Sequence, residues 1–225
     1  MKKMKRIMVM LCSVLLVGNA FVSYASAAGP VNSELEGCDE ETFEELVEIV
    51  VDLNDSGKDE DEVFDALEEI TSNEGRSRAI GSSISNIWNS LTDSEKKLLI
   101  RYPFDALKVN TAKNIATSQT EIKFGYNGLG DRSDAFRHGI WNAEMTILIG
   151  ETKAELFATA HEDVDTEGYE SDGFLKTNHR DMDLHNNAVG RDIGKNNLNA
   201  SEEEMADIIY GNIYSDSSAF VWLHE

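Results

Sequence analysis

Two prolines, Pro30 and Pro103, are all that this 225-residue chain contains. Proline breaks helices, because it lacks an N–H and its ring clashes with the preceding turn. Its scarcity leaves long stretches free to be helical. Runs of β-branched residues are equally scarce, and the apolar residues recur mostly at helical spacing. Together these absences exclude a sheet-rich fold and predict an all-α one, a compact multi-helix bundle. Cysteine is almost missing too. Cys12 lies in an N-terminal leader, and a single remaining thiol, Cys38, cannot close an internal disulfide, so the fold must stand on packing alone.

Positive charge is the third shortage: 20 Lys and Arg against 42 Asp and Glu. The chain opens with the basic head MKKMKR, an apolar run IMVMLCSVLLVGNAFV and the small-residue exit SYASA. That order predicts a secretory signal peptide over residues 1–27, cut after Ala27, and a mature protein outside the cell. Ser13, Gly18 and Asn19 interrupt the apolar run, so no stable membrane anchor is expected after cleavage. Taking the four leader cations from 20 leaves 16 basic residues against 42 acidic ones, a net −26. Such a surface repels nucleic acid and anionic lipid head groups and attracts divalent cations.

Within the mature chain, residues 28–75 form an acidic segment with two short amphipathic helices, ETFEELVEIVVDL and EDEVFDALEEIT. Between them, Asp52, Asn54, Ser56 and Gly57 match the start of a calcium loop. The twelfth position is Val63, where a bidentate acid is required, so a plain helix–turn–helix is the better reading. Residues 76–225 read as the main helical domain. Thr92 with Glu95, Thr152 with Glu155, and Ser201 with Glu204 have capping-box spacing. Ser133 is the expected N-cap of the helix SDAFRHGIWN and Gly150 its stop. Residues 164–180 read as a loop.

Projected at about 100° per residue, Phe136, Ile140, Ala143 and Ile147 share one face of that helix. Asp134, His138, Trp141 and Met145 share the opposite face, beside Arg137. Both faces carry large apolar groups, so the helix is expected to be covered on both sides, and its ionisable groups then need partners. The next helix closes its apolar stripe with His161, followed by Glu162. In DMDLHNNAVGRDIG, Asp183, Asn186, Asn187, Gly190 and Gly194 share a face, while His185 points away. The bare glycines indicate close approach by another helix or a ligand. Three helices thus offer polar groups to a shared interior.

Two histidines with carboxylates suit zinc, manganese or iron, and calcium is the further candidate for so acidic a chain. The expected metal ligands are Asp134, His138, His161 and Asp183. Glu162 is the candidate general base and Arg137 and Arg191 the candidate anion holders, with His138 also able to act in a metal-free His–Asp dyad. Each has a plainer account. His138 and Asp134 are an i,i+4 pair, His161 a core imidazole, Glu162 a solvated residue at a helix end, and the arginines ion partners of the acids.

Three segments, NGLGDRSDAFRHGIWNA, AHE and MDLHNNAVGR, together resemble a bacterial, mostly secreted domain family of unknown function. Its pattern runs N-G-x-G-D-x-x-D-A-F-R-H-x-x-W-N, then A-H-E, then M-D-x-x-N-N-x-x-G-R. The resemblance spans about residues 90–200 and falls on Asn127, Gly128, Gly130, Asp131, Asp134, Arg137, His138, Trp141, Asn142, His161, Glu162, Asp183, Asn186, Asn187, Gly190 and Arg191. It implies no activity. A looser likeness to helical zinc phospholipases and nucleases is one of fold only, since this chain lacks their dense set of histidines. The expected function is a secreted helical hydrolase, with a metal or with the metal-free His–Asp dyad, acting on a phosphoester or related ester, small-molecule or lipid-like. The alternative is a non-catalytic module whose buried polar network fixes packing and whose acidic surface binds a partner or calcium.

Overall fold

The computed structural model describes residues 37–72 and 82–225. The leader expected over residues 1–27 lies outside them. Among the described residues there are nine α-helices and no strand, apart from one isolated bridge between Tyr169 and Leu175. They are α1 (Glu40–Asp55), α2 (Glu60–Thr71), α3 (Ser82–Ser90), α4 (Asp93–Arg101), α5 (Pro103–Phe124), α6 (Arg132–Ile149), α7 (Glu151–His161), α8 (Lys176–Asn196) and α9 (Glu202–Ile213). The all-α expectation holds.

The acidic pair forms a helix–turn–helix. Helix α1 runs on through Asp55, so Asp52 and Asn54 are helical rather than looped, and Asn54 Nδ2 donates to the Ile100 carbonyl (2.9 Å). Phe43, Leu46, Val47 and Val50 of α1 and Val63 and Leu67 of α2 are buried in the same apolar core as Trp88, Leu99 and Phe136. Their opposite faces carry the acids. The capping boxes at Thr92–Glu95 and Ser201–Glu204 form as expected. The one expected at Thr152–Glu155 does not. Helix α7 starts directly from Gly150, whose φ of 84° ends α6 and begins α7 with no side-chain cap, leaving no room for a boundary two residues later.

Helix α6 is the axis of the fold. Every residue from Ser133 to Thr146 is buried, because α5, α7, α8 and α9 all pack on it. Against α8 the contact is backbone to backbone. A Cβ on Gly190 would lie 2.2 Å from the Gly139 carbonyl oxygen, and one on Gly194 would lie 2.6 Å from that of Ala143. Pairs 139/190 and 143/194 advance together, so α6 and α8 run parallel, joined by α7 and the loop after it. The glycines read from the sequence as marks of close approach are that contact.

Two glycine replacements test this seam. Gly190→Ala should destabilise the protein by about 3 kcal/mol in urea unfolding, since the Gly139 carbonyl is backbone and cannot swing aside. Gly211→Ala, also helical but with open space around it, should stabilise by about 1 kcal/mol. Equal effects would refute the seam.

Candidate functional site

The turn Asn127–Asp131 sets the start of α6. Asp131, not Ser133, is the N-cap: its Oδ1 accepts from the backbone N–H of Ser133 (2.8 Å) and Asp134 (3.1 Å). A carboxylate reaches two amides where a hydroxyl reaches one, and the helix gains its first residue from it. Ser133 instead links the turn together. Its Oγ donates to Asp131 Oδ1 (2.6 Å) and accepts from Gly128 N–H (2.8 Å). Gly130, at φ 71°, aims its N–H at Asp134 Oδ2 (2.7 Å).

Asp134 and His138 stand one turn apart on α6 and meet Asp183 of α8. His138 Nε2 lies 3.6 Å from Asp134 Oδ1 and 3.4 Å from Asp183 Oδ1. One ligand atom from each residue lies within 4.8 Å of the others. Those separations are long for hydrogen bonds but near the about 3.3 Å between ligand atoms around a tetrahedral ion with bonds of about 2.0–2.1 Å. All three residues are buried, at 1%, 4% and 6% exposure.

The proton on His138 can be placed by following the amides. Arg191 can only donate, so the Asn142 atom it meets is Oδ1 (2.9 Å). Asn142 Nδ2 then donates to Asn187 Oδ1 (2.5 Å). Asn187 Nδ2 in turn donates to Glu162 Oε1 (3.1 Å). Asn187 therefore presents an acceptor to His138 Nδ1 (3.1 Å), and Nδ1 carries the hydrogen. Burial, with Arg137 adding to it, holds the His138 pKa well below the usual imidazole value. The ring is neutral, and its Nε2 lone pair faces two carboxylates. Glu162 lies on the other edge of the ring, 3.7 Å from Nδ1. It is buried rather than solvated. Burial raises the Asp134 pKa, and the Arg137 charge opposes that rise.

Arg137 is the buried cation of this cluster. It pairs with Asp134 Oδ1 (2.5 Å) and donates to the Gly128 carbonyl (3.0 Å). Arg191 is half-buried at the far end of the amide chain. His161 stands elsewhere. Its Nδ1 meets Glu95 Oε1 (3.0 Å) and lies 3.4 Å from Lys113 Nζ, in a cavity of about 80 Å³ that Cys38 also lines. Both His138 and His161 lie edge-on to Trp141, but the metal-competent group among the described residues comprises Asp134, His138 and Asp183. The reason is Glu95: with Oε2 it caps Thr92 (2.9 Å) and with Oε1 it holds His161. His185 is exposed and bonds the Ala219 carbonyl (2.7 Å), apart from the site as its projection implied.

Two neighbours of the cluster were not legible as such. Asn142 fixes the amide chain, and His179 lies buried one turn before Asp183. The spacing His179-x-x-x-Asp183 was the available signal, hidden because α8 begins at Lys176, inside the stretch that reads as loop.

A family model described as a domain of unknown function (DUF6973) matches residues 96–217. No curated protein matches the chain, and no solved structure does.

Glu144, two residues past Asn142, is buried and its Oε1 has no hydrogen-bond partner among the described residues. Burial, with Glu202 adding to it, pushes its pKa up to about 7. A raised acid pKa means the folded state holds the proton more tightly than the unfolded one. Stability is then full below about pH 4.5 and falls as the pH rises toward 7. Glu144→Gln should match wild type at pH 4 and be more stable by about 2 kcal/mol at pH 8, measured by urea unfolding. A constant difference across that range would refute the assignment.

Proposed function

The chain belongs to this family of unknown function, the DUF6973 domain, and we propose, from its leader sequence and its site, that it is a secreted helical hydrolase that depends on a divalent cation and acts on a phosphoester or related ester. One observation supports the cation above all. A neutral imidazole lone pair and two carboxylate oxygens converge in a buried place. Three like acceptors facing one another repel unless a proton or a cation joins them. Asp134, Asp183 and Glu162 surround His138, with Arg137 as the buried counter-charge beside them. A divalent ion would complete the balance.

In this reading Asp134, His138 and Asp183 hold the ion. Asn187, Glu162, Asn142 and Arg191 form the outer chain that fixes the His138 tautomer, as outer partners of metal-bound imidazoles do. His161, given as a fourth ligand by the sequence, belongs to the Glu95–Lys113 group instead, and Glu162 serves orientation better than base catalysis. A bound ion lowers the pKa of its water toward neutrality and supplies the nucleophile for ester hydrolysis. Zinc or manganese suits one imidazole with two carboxylates.

The enclosure of the cluster, at most 6% exposed, favours a second reading: a non-catalytic module in which the same polar chain fixes packing. Metal analysis and turnover separate the two. Protein purified without chelator should carry about one equivalent of zinc or manganese by mass spectrometry, and Asp183→Asn should lose it. The metal-loaded wild type should hydrolyse bis(4-nitrophenyl) phosphate, and His138→Ala should not. Bound metal without turnover would leave the module reading. Absence of metal, with no thermal shift on adding zinc or manganese, would sink the cation.

A further inference from the structure

His179 is 5% exposed and shares a face of α8 with Asp183, one turn earlier. Its Nε2 lies 3.1 Å from Asp172 Oδ1. A carboxylate only accepts, so Nε2 carries a hydrogen, and in the neutral tautomer Nδ1 is then the lone-pair side. That Nδ1 is buried and has no hydrogen-bond partner among the described residues. The ring lies against the turn that opens α6. A Cβ on Gly130 would fall 2.8 Å from His179 Cε1 and 2.7 Å from Asp172 Oδ2, and Gly130 N–H is the donor to Asp134 Oδ2. The imidazole–carboxylate pair therefore borders the Asp134–His138–Asp183 cluster across a single glycine.

A purely structural role explains part of this arrangement. Asp172 Oδ2 also lies 3.3 Å from His224 Nε2, which itself lies 2.9 Å from the Leu129 carbonyl oxygen. Leu223 N–H donates to the Gly130 carbonyl (2.7 Å). Asp172 thus helps fasten residues 223–224 to the turn. Fastening uses the carboxylate and the Nε2 side of His179. It gives no use to Nδ1, and a buried acceptor without a donor is destabilising.

We propose that His179 is the proton acceptor of the centre, its Nδ1 taking a hydrogen bond from a water on the cation of Asp134, His138 and Asp183, with Asp172 as the positioning residue. The inference rests on the cation reading above. In the reaction the water O–H bond breaks, its proton passes to Nδ1, and the electron pair stays on the oxygen that attacks the ester. The imidazolium formed is paired with Asp172. When the ester bond breaks, the same proton goes to the leaving oxygen, restoring neutral His179.

Cobalt(II) serves as the probe, because its visible absorption reports the donors around it without any substrate. Wild type, His179→Gln, Asp172→Asn and His224→Ala are freed of metal, checked for helical content, and titrated with cobalt. His179→Gln should bind 10- to 100-fold more weakly with an altered spectrum, the range seen for groups that act on a metal through its outer partners. Asp172→Asn should change the spectrum in the same direction by less. His224→Ala, which removes the fastening but keeps the His179–Asp172 hydrogen bond, should leave spectrum and affinity as in wild type. Should His179→Gln fail to fold, Asp172→Asn against His224→Ala decides. Wild-type behaviour of both His179→Gln and Asp172→Asn, or equal loss in His224→Ala, overturns the role of His179 and leaves the cation standing. A wild type that binds no cobalt, zinc or manganese overturns both.

Discussion

The close approach of α6 and α8 governs everything else in this protein. Where Gly190 would carry a side chain stands the Gly139 carbonyl oxygen, and where Gly194 would carry one stands that of Ala143. Two helices in backbone contact bring their flanking side chains within hydrogen-bonding reach. The seam that is bare at residues 190 and 194 is therefore polar at 179, 183 and 187. Larger residues at the glycines would hold the helices apart, and the short contacts of His138 with Asn187 and Asp183 could not form.

Burial on all sides of α6 then imposes a second condition. Asp134, Arg137, His138 and Asn142 cannot be solvated there, so each must be answered by protein. Asp134 and Arg137 answer each other and the turn before α6, while the answers to His138 and Asn142 form a connected chain whose two ends are fixed by groups with a single polarity: an arginine that only donates and a carboxylate that only accepts. Every amide between them has its direction set by those ends. Buried networks of this kind are rigid because no member can turn without leaving another unpaired. The Nε2 side of His138 receives no hydrogen from this chain.

Much of this was legible in the sequence. Helical spacing gave the all-α fold, the two-sided burial of α6 and the glycine seam; it also grouped positions 134, 138, 161 and 183, of which 134, 138 and 183 come together and 161 does not. What sequence could not reveal was the partner of each polar group. Glu95 reads as a capping residue, and it is one, yet its second oxygen holds His161. Spacing along one helix carries no information about a second duty performed across the core. Ser133 and Asp131 were confused because both residue types cap helices and they stand two positions apart. His179 was missed for a different reason: no proline, glycine or capping side chain marks where α8 begins, since Leu175 precedes it without a side-chain cap.

The parallel run of α6 and α8 also bears on how the protein assembles. Parallel neighbours cannot be joined by a tight hairpin. The chain must travel back along the whole of α7 and the loop after it before α8 can lie down, so His138 and Asp183 meet only across a 45-residue separation. Contacts of such span form late, after the entropy of closing the excursion has been overcome. An ion held by both helices would thus find only the Asp134–His138 pair of α6 until α8 brings Asp183. It would act as a latch on a completed tertiary structure, and would slow unfolding more than it hastens folding.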